Sequence, residues 1–236
     1  MKRDMHRTWP VSALGLTALG ALLALFWAAA AEAGEATRLG AVVPLTGRYG
    51  AIGSQNKAGY EIAVEAINRA GGVNVGGQRL PLELALLDDE SDATKTVARL
   101  ETLGAQGVTA YLGGVGSDLH AAAAAIAEKN KIPYCGVGFA LHSIHQRGYR
   151  YLFSPFWKSP DIAKVTFQIL ADYVPEGQRP RKVAIFQEKT DWGKEMADLW
   201  EKEATAHGYQ VVVRAEYAVG SKHPSKNNCH TLGRMA

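Results

Sequence analysis

Arg38-Leu-Gly-Ala-Val-Val-Pro-Leu-Thr-Gly-Arg-Tyr-Gly50, followed after a helix-like stretch by Gly71-Gly72 and Leu80-Pro-Leu-Glu-Leu-Ala-Leu-Leu-Asp-Asp-Glu90, is the run whose reading decides the fold. Leu39 to Leu45 reads as a buried strand, and Thr46-Gly47-Arg48-Tyr49-Gly50 as a glycine-bearing turn that carries an aromatic at its tip. Ser54 to Ala70 spaces Ala58, Ile62, Val64, Ala66 and Ile67 near a helical period, and Leu80 to Leu87 is a second strand. Strand, turn, helix and strand in that order open an α/β lobe.

Outward from this run the alternation continues. Asp92 is a good N-cap, with Thr94, Val97, Leu100 and Leu103 following on a helix. Val108 to Leu112 predicts a third strand, Ser117 to Lys129 an alanine-rich helix, and Ile132 to Gly136 a fourth strand. Such repetition predicts a parallel sheet with helices on both faces. After Gly148, Tyr-Arg-Tyr-Leu-Phe-Ser-Pro-Phe156 reads as an extended crossover into a second lobe. There Asp161 to Tyr173 is a helix, Lys182 to Gln187 a strand, Asp191 to His207 a helix and Gln210 to Tyr217 a strand. Beyond Gly220 apolar periodicity stops, and the tail is expected to be disordered or aberrant.

The run from Arg38 to Glu90 resembles the opening of type I periplasmic solute-binding proteins, in particular the branched-chain amino acid (leucine/isoleucine/valine) group that feeds ABC importers. The resemblance covers roughly Arg38 to Gly220. It implies an α/β fold of two doubly wound parallel-sheet lobes joined by a hinge, with the second lobe incomplete. The expected division is residues 1–33 as signal peptide, 34–153 as the N-terminal lobe, 154–220 as a partial second lobe and 221–236 as the tail. Members of the family continue further and return strands and helices to the first lobe. The chain therefore reads as C-terminally truncated, with sheet faces or edges expected to be uncovered.

The N-terminus speaks to location. Lys2, Arg3 and Arg7 precede the apolar stretch Val11 to Ala31, and Ala31-Glu32-Ala33 supplies a small-x-small cleavage site. That is the pattern of a secretory signal peptide, and the resemblance places the mature chain in the periplasm. A retained membrane anchor is the rival reading, since the apolar stretch is nearly long enough to span a bilayer. No cysteine stands at the cleavage point for a lipid anchor. Removing Lys2, Arg3 and Arg7 from 26 basic residues, and Asp4 and Glu32 from 23 acidic ones, leaves 23 and 21, a net charge of +2. So small an unclustered charge argues against nucleic acid as a partner. Cys135 and Cys229 could pair in an oxidising compartment but make no disulfide framework, and two unpaired thiols are the favoured reading.

Candidate binding residues cluster where strands end. Gly113-Gly114-Val115-Gly116-Ser117-Asp118 lies between a strand and a helix, where glycines admit a ligand to the backbone and a helix N-terminus favours an anion. The resemblance gives the serine here, Ser117, the role of binding an amino acid's carboxylate, whereas the local chemistry alone allows Ser117 to be only a helix cap. Gly114-Val115-Gly116 lacks a third glycine, and no Gly-Lys-Ser/Thr follows, so a nucleotide loop is set aside. Val137-Gly138-Phe139-Ala140 ends the next strand and should converge on the same solute. Ala140 stands where the family carries a threonine hydroxyl, which leaves room for an amide, an aromatic acid or another small carboxylate. Phe139 alternatively packs in the interlobe seam. Tyr49 is expected to line the cleft wall, with Arg48 solvated. In Thr190-Asp191-Trp192-Gly193-Lys194, Trp192 takes the place of the family's closing aromatic and Asp191 is expected to cap the helix. Phe153-Ser154-Pro155-Phe156-Trp157 is read mainly as hinge packing.

Asp88-Asp89-Glu90 has no partner at useful spacing for metal or acid/base work, and the resembled family gives Asp-Asp here a structural role. Ser91 and Gly116 stand where that family often has a disulfide. His142, His145, His223, Cys229 and His230 lack the spacing of a closed zinc site, and neither a Gly-x-Ser-x-Gly elbow nor a His partner for Cys135 is evident. The expectation is a non-enzymatic protein without cofactor or metal. Its partners would be a small solute and the membrane permease of an ABC importer. The competing readings are a non-functional fragment, a secreted α/β enzyme and a sensory ligand-binding domain.

Overall fold

The computed structural model describes residues 36–219. The expected signal peptide, the tail from 221 and Cys229 lie outside the described residues. The first lobe runs β1 (Thr37–Val43), α1 (Gly50–Arg69), β2 (Val73–Val75), β3 (Gln78–Leu80), β4 (Leu82–Asp88), α2 (Ala93–Ala105), β5 (Ala110–Gly113), α3 (Ser117–Asn130), β6 (Tyr134–Cys135) and β7 (Leu152–Phe153). Its five-stranded sheet has the order β4-β1-β5-β6-β7, and each neighbouring pair is parallel. Because β4 lies on one side of β1 and β5 on the other, the winding reverses between β1 and β5. A crevice opens at such a switch point, beyond the carboxyl ends of the strands.

The core forms where α2 and α3 cover the sheet. Ala41, Val42 and Val43 on β1 are at most 2 % exposed, as expected of a central parallel strand. Leu100 and Leu103, one helical turn apart on α2, are fully buried against Val42, Val108 and Tyr111. Burying each contributes roughly 1.5–3 kcal/mol. Ala123, Ala124 and Ala127 let α3 approach closely, and the Tyr111 hydroxyl inside this layer donates to the Leu100 carbonyl at 3.0 Å. Asp92 caps α2, its side chain accepting from the Lys95 N–H at 2.9 Å.

Several elements differ from the sequence reading. The first helix begins at Gly50 rather than Ser54, because a 3-10 turn at Gly47–Tyr49 leads straight into it. Gly53 is needed there, since any side chain would run into the Pro44 carbonyl. Of the apolar residues that suggested the helix, Ile62 is 67 % exposed and Ile67 36 %. The hairpin β2–β3 was not anticipated; Gly76-Gly77, both at positive φ, makes its two-residue turn. Pro81, without an N–H, separates it from β4, so Leu80 belongs to the hairpin. Leu152–Phe153, read as a crossover, pairs with β6 and extends the sheet.

The second lobe holds α4 (Ser159–Tyr173), β8 (Lys182–Glu188), α5 (Asp191–Ala206) and β9 (Gln210–Tyr217). β8 and β9 form a two-stranded parallel sheet with α5 as the crossover. Phe167, Ala204 and Tyr209 make its small core with Leu170, Val183, Trp200 and Val211. Thr190, not Asp191, caps α5: its side-chain oxygen accepts from the Gly193 N–H at 3.0 Å, and Asp191 is the first helical residue.

Candidate functional site

The loops that end β1, β5 and β6 meet at the switch point. The latter two are joined by their backbones, with the Gly116 N–H donating to the Gly138 carbonyl at 3.1 Å and the Gly138 N–H to Gly114 at 3.0 Å. Gly138 permits this approach, for an added Cβ would lie 2.9 Å from the Gly114 oxygen. Gly116, at φ +109, is the N-cap of α3, and Ser117 is the first helical residue without a capping bond. The helix therefore starts without Ser117 as its cap, and Ser117 lines the open crevice instead.

The turn after β1 is held from below. The Asp88 carboxylate accepts from the N–H groups of Leu45 and Glu90, both at 2.8 Å, and from the Thr46 hydroxyl at 2.8 Å. Burial pushes this carboxyl up, but the hydrogen bonds from Glu90, Thr46 and Leu45 outweigh it and hold it below the usual range. The Ser91 hydroxyl donates to the Thr46 carbonyl at 2.7 Å and accepts from the Tyr49 N–H at 3.1 Å. The acidic triplet thus shapes a turn.

Tyr49 leans on Gly116, where an added Cβ would meet the ring at 2.6 Å. Its hydroxyl donates to Asp118 at 3.1 Å, and Arg48, expected in solvent, pairs with the other oxygen of the same carboxylate. Burial first, then the charge of Asp118, push the phenol up to about 12. Phe139 does not present its ring to the crevice. The ring is 2 % exposed and stacked between His120, at 4.5 Å, and His145, at 5.4 Å, with the Lys158 ammonium 4.0 Å from its centroid. Ala140 is also buried, and its carbonyl accepts from both the N–H and the hydroxyl of Ser159 at the start of α4. Both residues line the cleft with little exposed surface, and both carbonyls are already taken, that of Phe139 by the Lys158 ammonium at 3.1 Å and that of Ala140 by Ser159.

From the second lobe, Trp192 reaches across and packs on the core of the first. Its indole N–H is shielded and has no hydrogen-bond partner among the described residues. The result is a cleft of about 500 Å³ lined by Tyr49, Gly116, Ser117, Gly138, Phe139, Ala140 and Trp192. That volume suits a small molecule. Arg48, Asp118, Phe156, Glu188, Lys189 and Asp191 are among its further lining residues and were not chosen from sequence. Glu188 and Lys189 sit at and just beyond the carboxyl end of β8, a position that the switch-point rule could have flagged. No sequence rule pairs Arg48 with Asp118, seventy positions apart. Among the described residues, no group of three or more His, Cys, Asp or Glu could hold a metal ion. No described helix is long and apolar enough to cross a membrane.

Residues 36–226 match the model of a protein family described as periplasmic binding protein. The chain belongs to that family. Among curated relatives of this periplasmic binding protein is a Leu/Ile/Val-binding protein homolog 8 of Brucella abortus, 30% identical over 184 residues that cover 76% of this chain and 45% of the relative. Another is the Leu/Ile/Val-binding protein BraC3 of Rhizobium johnstonii, 28% identical, with 78% and 48% covered. The chain spans about half the length of the curated relatives it matches. The fold is shared with solved type I periplasmic binding proteins. The branched-chain amino acid transporter substrate-binding protein LivJ of Streptococcus pneumoniae, in complex with isoleucine, superposes with a TM-score of 0.74 at 21% identity, covering 84% of this chain and 54% of that one. A solute-binding protein of an ABC transporter from R. palustris, in complex with benzoate, gives 0.73 at 20%, covering 85% and 53%.

Proposed function

We propose that this periplasmic binding protein captures a small solute in the interlobe cleft and delivers it to the membrane permease of an ABC importer. The observation that carries this reading is the convergence of Tyr49, Gly116, Ser117, Gly138 and Trp192, from three first-lobe loops and one second-lobe helix, on a single cleft. In this reading Ser117 and the N–H groups opening α3 receive a carboxylate, for a helix N-terminus favours negative charge. The body of the solute lies between Tyr49 and Trp192. Closure of one lobe on the other presents the loaded form to the permease in the periplasm. The solute is a branched-chain amino acid or a related amide or carboxylate. A second choice, an aromatic acid, is favoured by the aromatic walls Tyr49, Phe156 and Trp192.

The test is thermal melting of the chain alone and with leucine, isoleucine, valine, small amides or benzoate. A solute at about 100 times its dissociation constant adds roughly 2.7 kcal/mol, a readily measured shift. Ser117→Ala should abolish most of that shift while leaving the solute-free melt in place. A cooperative melt that no solute moves would overturn the reading. A chain that does not melt cooperatively would favour a fragment without function of its own.

A further inference from the structure

Among the described residues, Asp118 is the one carboxylate of the first lobe that lines the cleft, and it sits one residue from Ser117, where an anionic solute would be received. Left to itself it would repel such a solute. Instead both oxygens are engaged: one accepts from the Tyr49 hydroxyl at 3.1 Å, the other pairs with the Arg48 guanidinium. Arg48 in turn lies over the Tyr49 ring, 4.7 Å from its centroid. The ring has its edge on Gly116, and the Tyr49 N–H is held by Ser91. Tyr49 is thus fixed at its backbone, its ring edge and its hydroxyl. The Arg48 and Asp118 side chains are 36 % and 35 % exposed, and an ion pair so exposed adds little to stability. What it supplies is geometry and neutrality.

We infer that Asp118, neutralised by Arg48, is a positioning residue that pins Tyr49 against Gly116 and so holds the aromatic wall of the cleft ready before solute arrives. This rests on the solute-binding reading, and it names how that site is preorganised. Fixing a wall in its bound position lowers the ordering cost of binding. The alternative role for Asp118 is a favourable charge in the first turn of α3, which needs no contact with Tyr49. Of the titratable groups, Asp118, Arg48 and, across the cleft, Glu188 act on the phenol. Losing Asp118 removes the stronger of the two acidic influences and the hydrogen bond together.

The experiment uses the full chain with tyrosine labelled at Cζ, the Tyr49 signal being assigned by its loss in Tyr49→Phe. In the unsubstituted protein that signal should not move on titration to about pH 10, the range in which ordinary tyrosines ionise. In Asp118→Ala the Tyr49 signal should differ already at neutral pH and titrate at lower pH than in the unsubstituted protein. Asp118→Asn, which keeps an oxygen acceptor, should fall between them. A Tyr49 signal indifferent to both substitutions would overturn the proposal in favour of the helix-charge role. Calorimetry with L-leucine and with benzoate supplies the second arm. Asp118→Ala and Tyr49→Phe should each weaken whichever probe binds by about tenfold, and the double variant should be little worse than either. Additive losses would overturn the proposal. If neither probe binds the unsubstituted protein, the choice of solute fails and the Tyr49 signal alone decides the role of Asp118.

Discussion

His120 is fully buried on α3, its Nδ1 2.7 Å from the Gly116 carbonyl and its Nε2 without a partner among the described residues. Burial drives the imidazole down to about 4; the Gly116 carbonyl opposes this and the Lys158 charge adds to it. The charged form is therefore disfavoured in the folded state. The stability it contributes is fully present above its ordinary value near 6.5 and is lost as pH falls from there through about 4. The size is on the order of 3 kcal/mol. His120→Gln should flatten the fall in melting temperature across that window, and an unchanged acid slope would assign the loss elsewhere. Nothing in Ser-Asp-Leu-His120 announces this burial, because the alanine run that follows masks which face of the helix is covered. Ser117 and Gly138, by contrast, could be picked out in the sequence, since each stands in a glycine-bearing loop just beyond a strand, and Ser117 also opens a helix.

At the scale of elements, capping decided more than periodicity. Asp92 was legible as a cap because one acidic residue precedes a clean helical pattern. Before α5 both Thr190 and Asp191 are good capping types, and only the extended backbone of Thr190, φ −139 and ψ 166, selects it. Thr190→Ala should cost about 1 kcal/mol in a denaturant melt, and Asp191→Ala clearly less. Equal costs would contradict the assigned cap. Periodicity found α1 but not its buried face: Ile62 and Ile67, which carried the pattern, are 67 % and 36 % exposed, while the buried positions are Gly50 and Gly53. A glycine that lets a helix approach the Pro44 carbonyl carries no hydrophobic signal. The β2–β3 hairpin was missed for another reason: its strands are too short to show alternation, although Gly76-Gly77 is a recognised turn pair.

At the scale of the whole molecule, one tie between the lobes among the described residues is an acid from the second lobe. The Glu195 carboxylate on α5 accepts from the N–H groups of His142 and Ser143, at 2.7 and 3.0 Å, at the start of a first-lobe turn. Glu195→Ala removes this tie and should raise the radius of gyration of the solute-free protein in X-ray scattering, as the open form gains population. An unchanged radius would show that Trp192 and the α4 start hold the lobes together unaided. The sequence by itself determined the α/β class, the alternation of the longer strands and helices and the glycine turns of the cleft, because these follow from local period and backbone freedom, whereas the β2–β3 hairpin and β7 did not show in it. Only the tertiary structure decided that Phe139 turns inward to His120, that Thr190 caps α5, and that Arg48 and Asp118 meet over Tyr49. These outcomes depend on which distant surfaces the sheet brings together, and no local pattern carries that information.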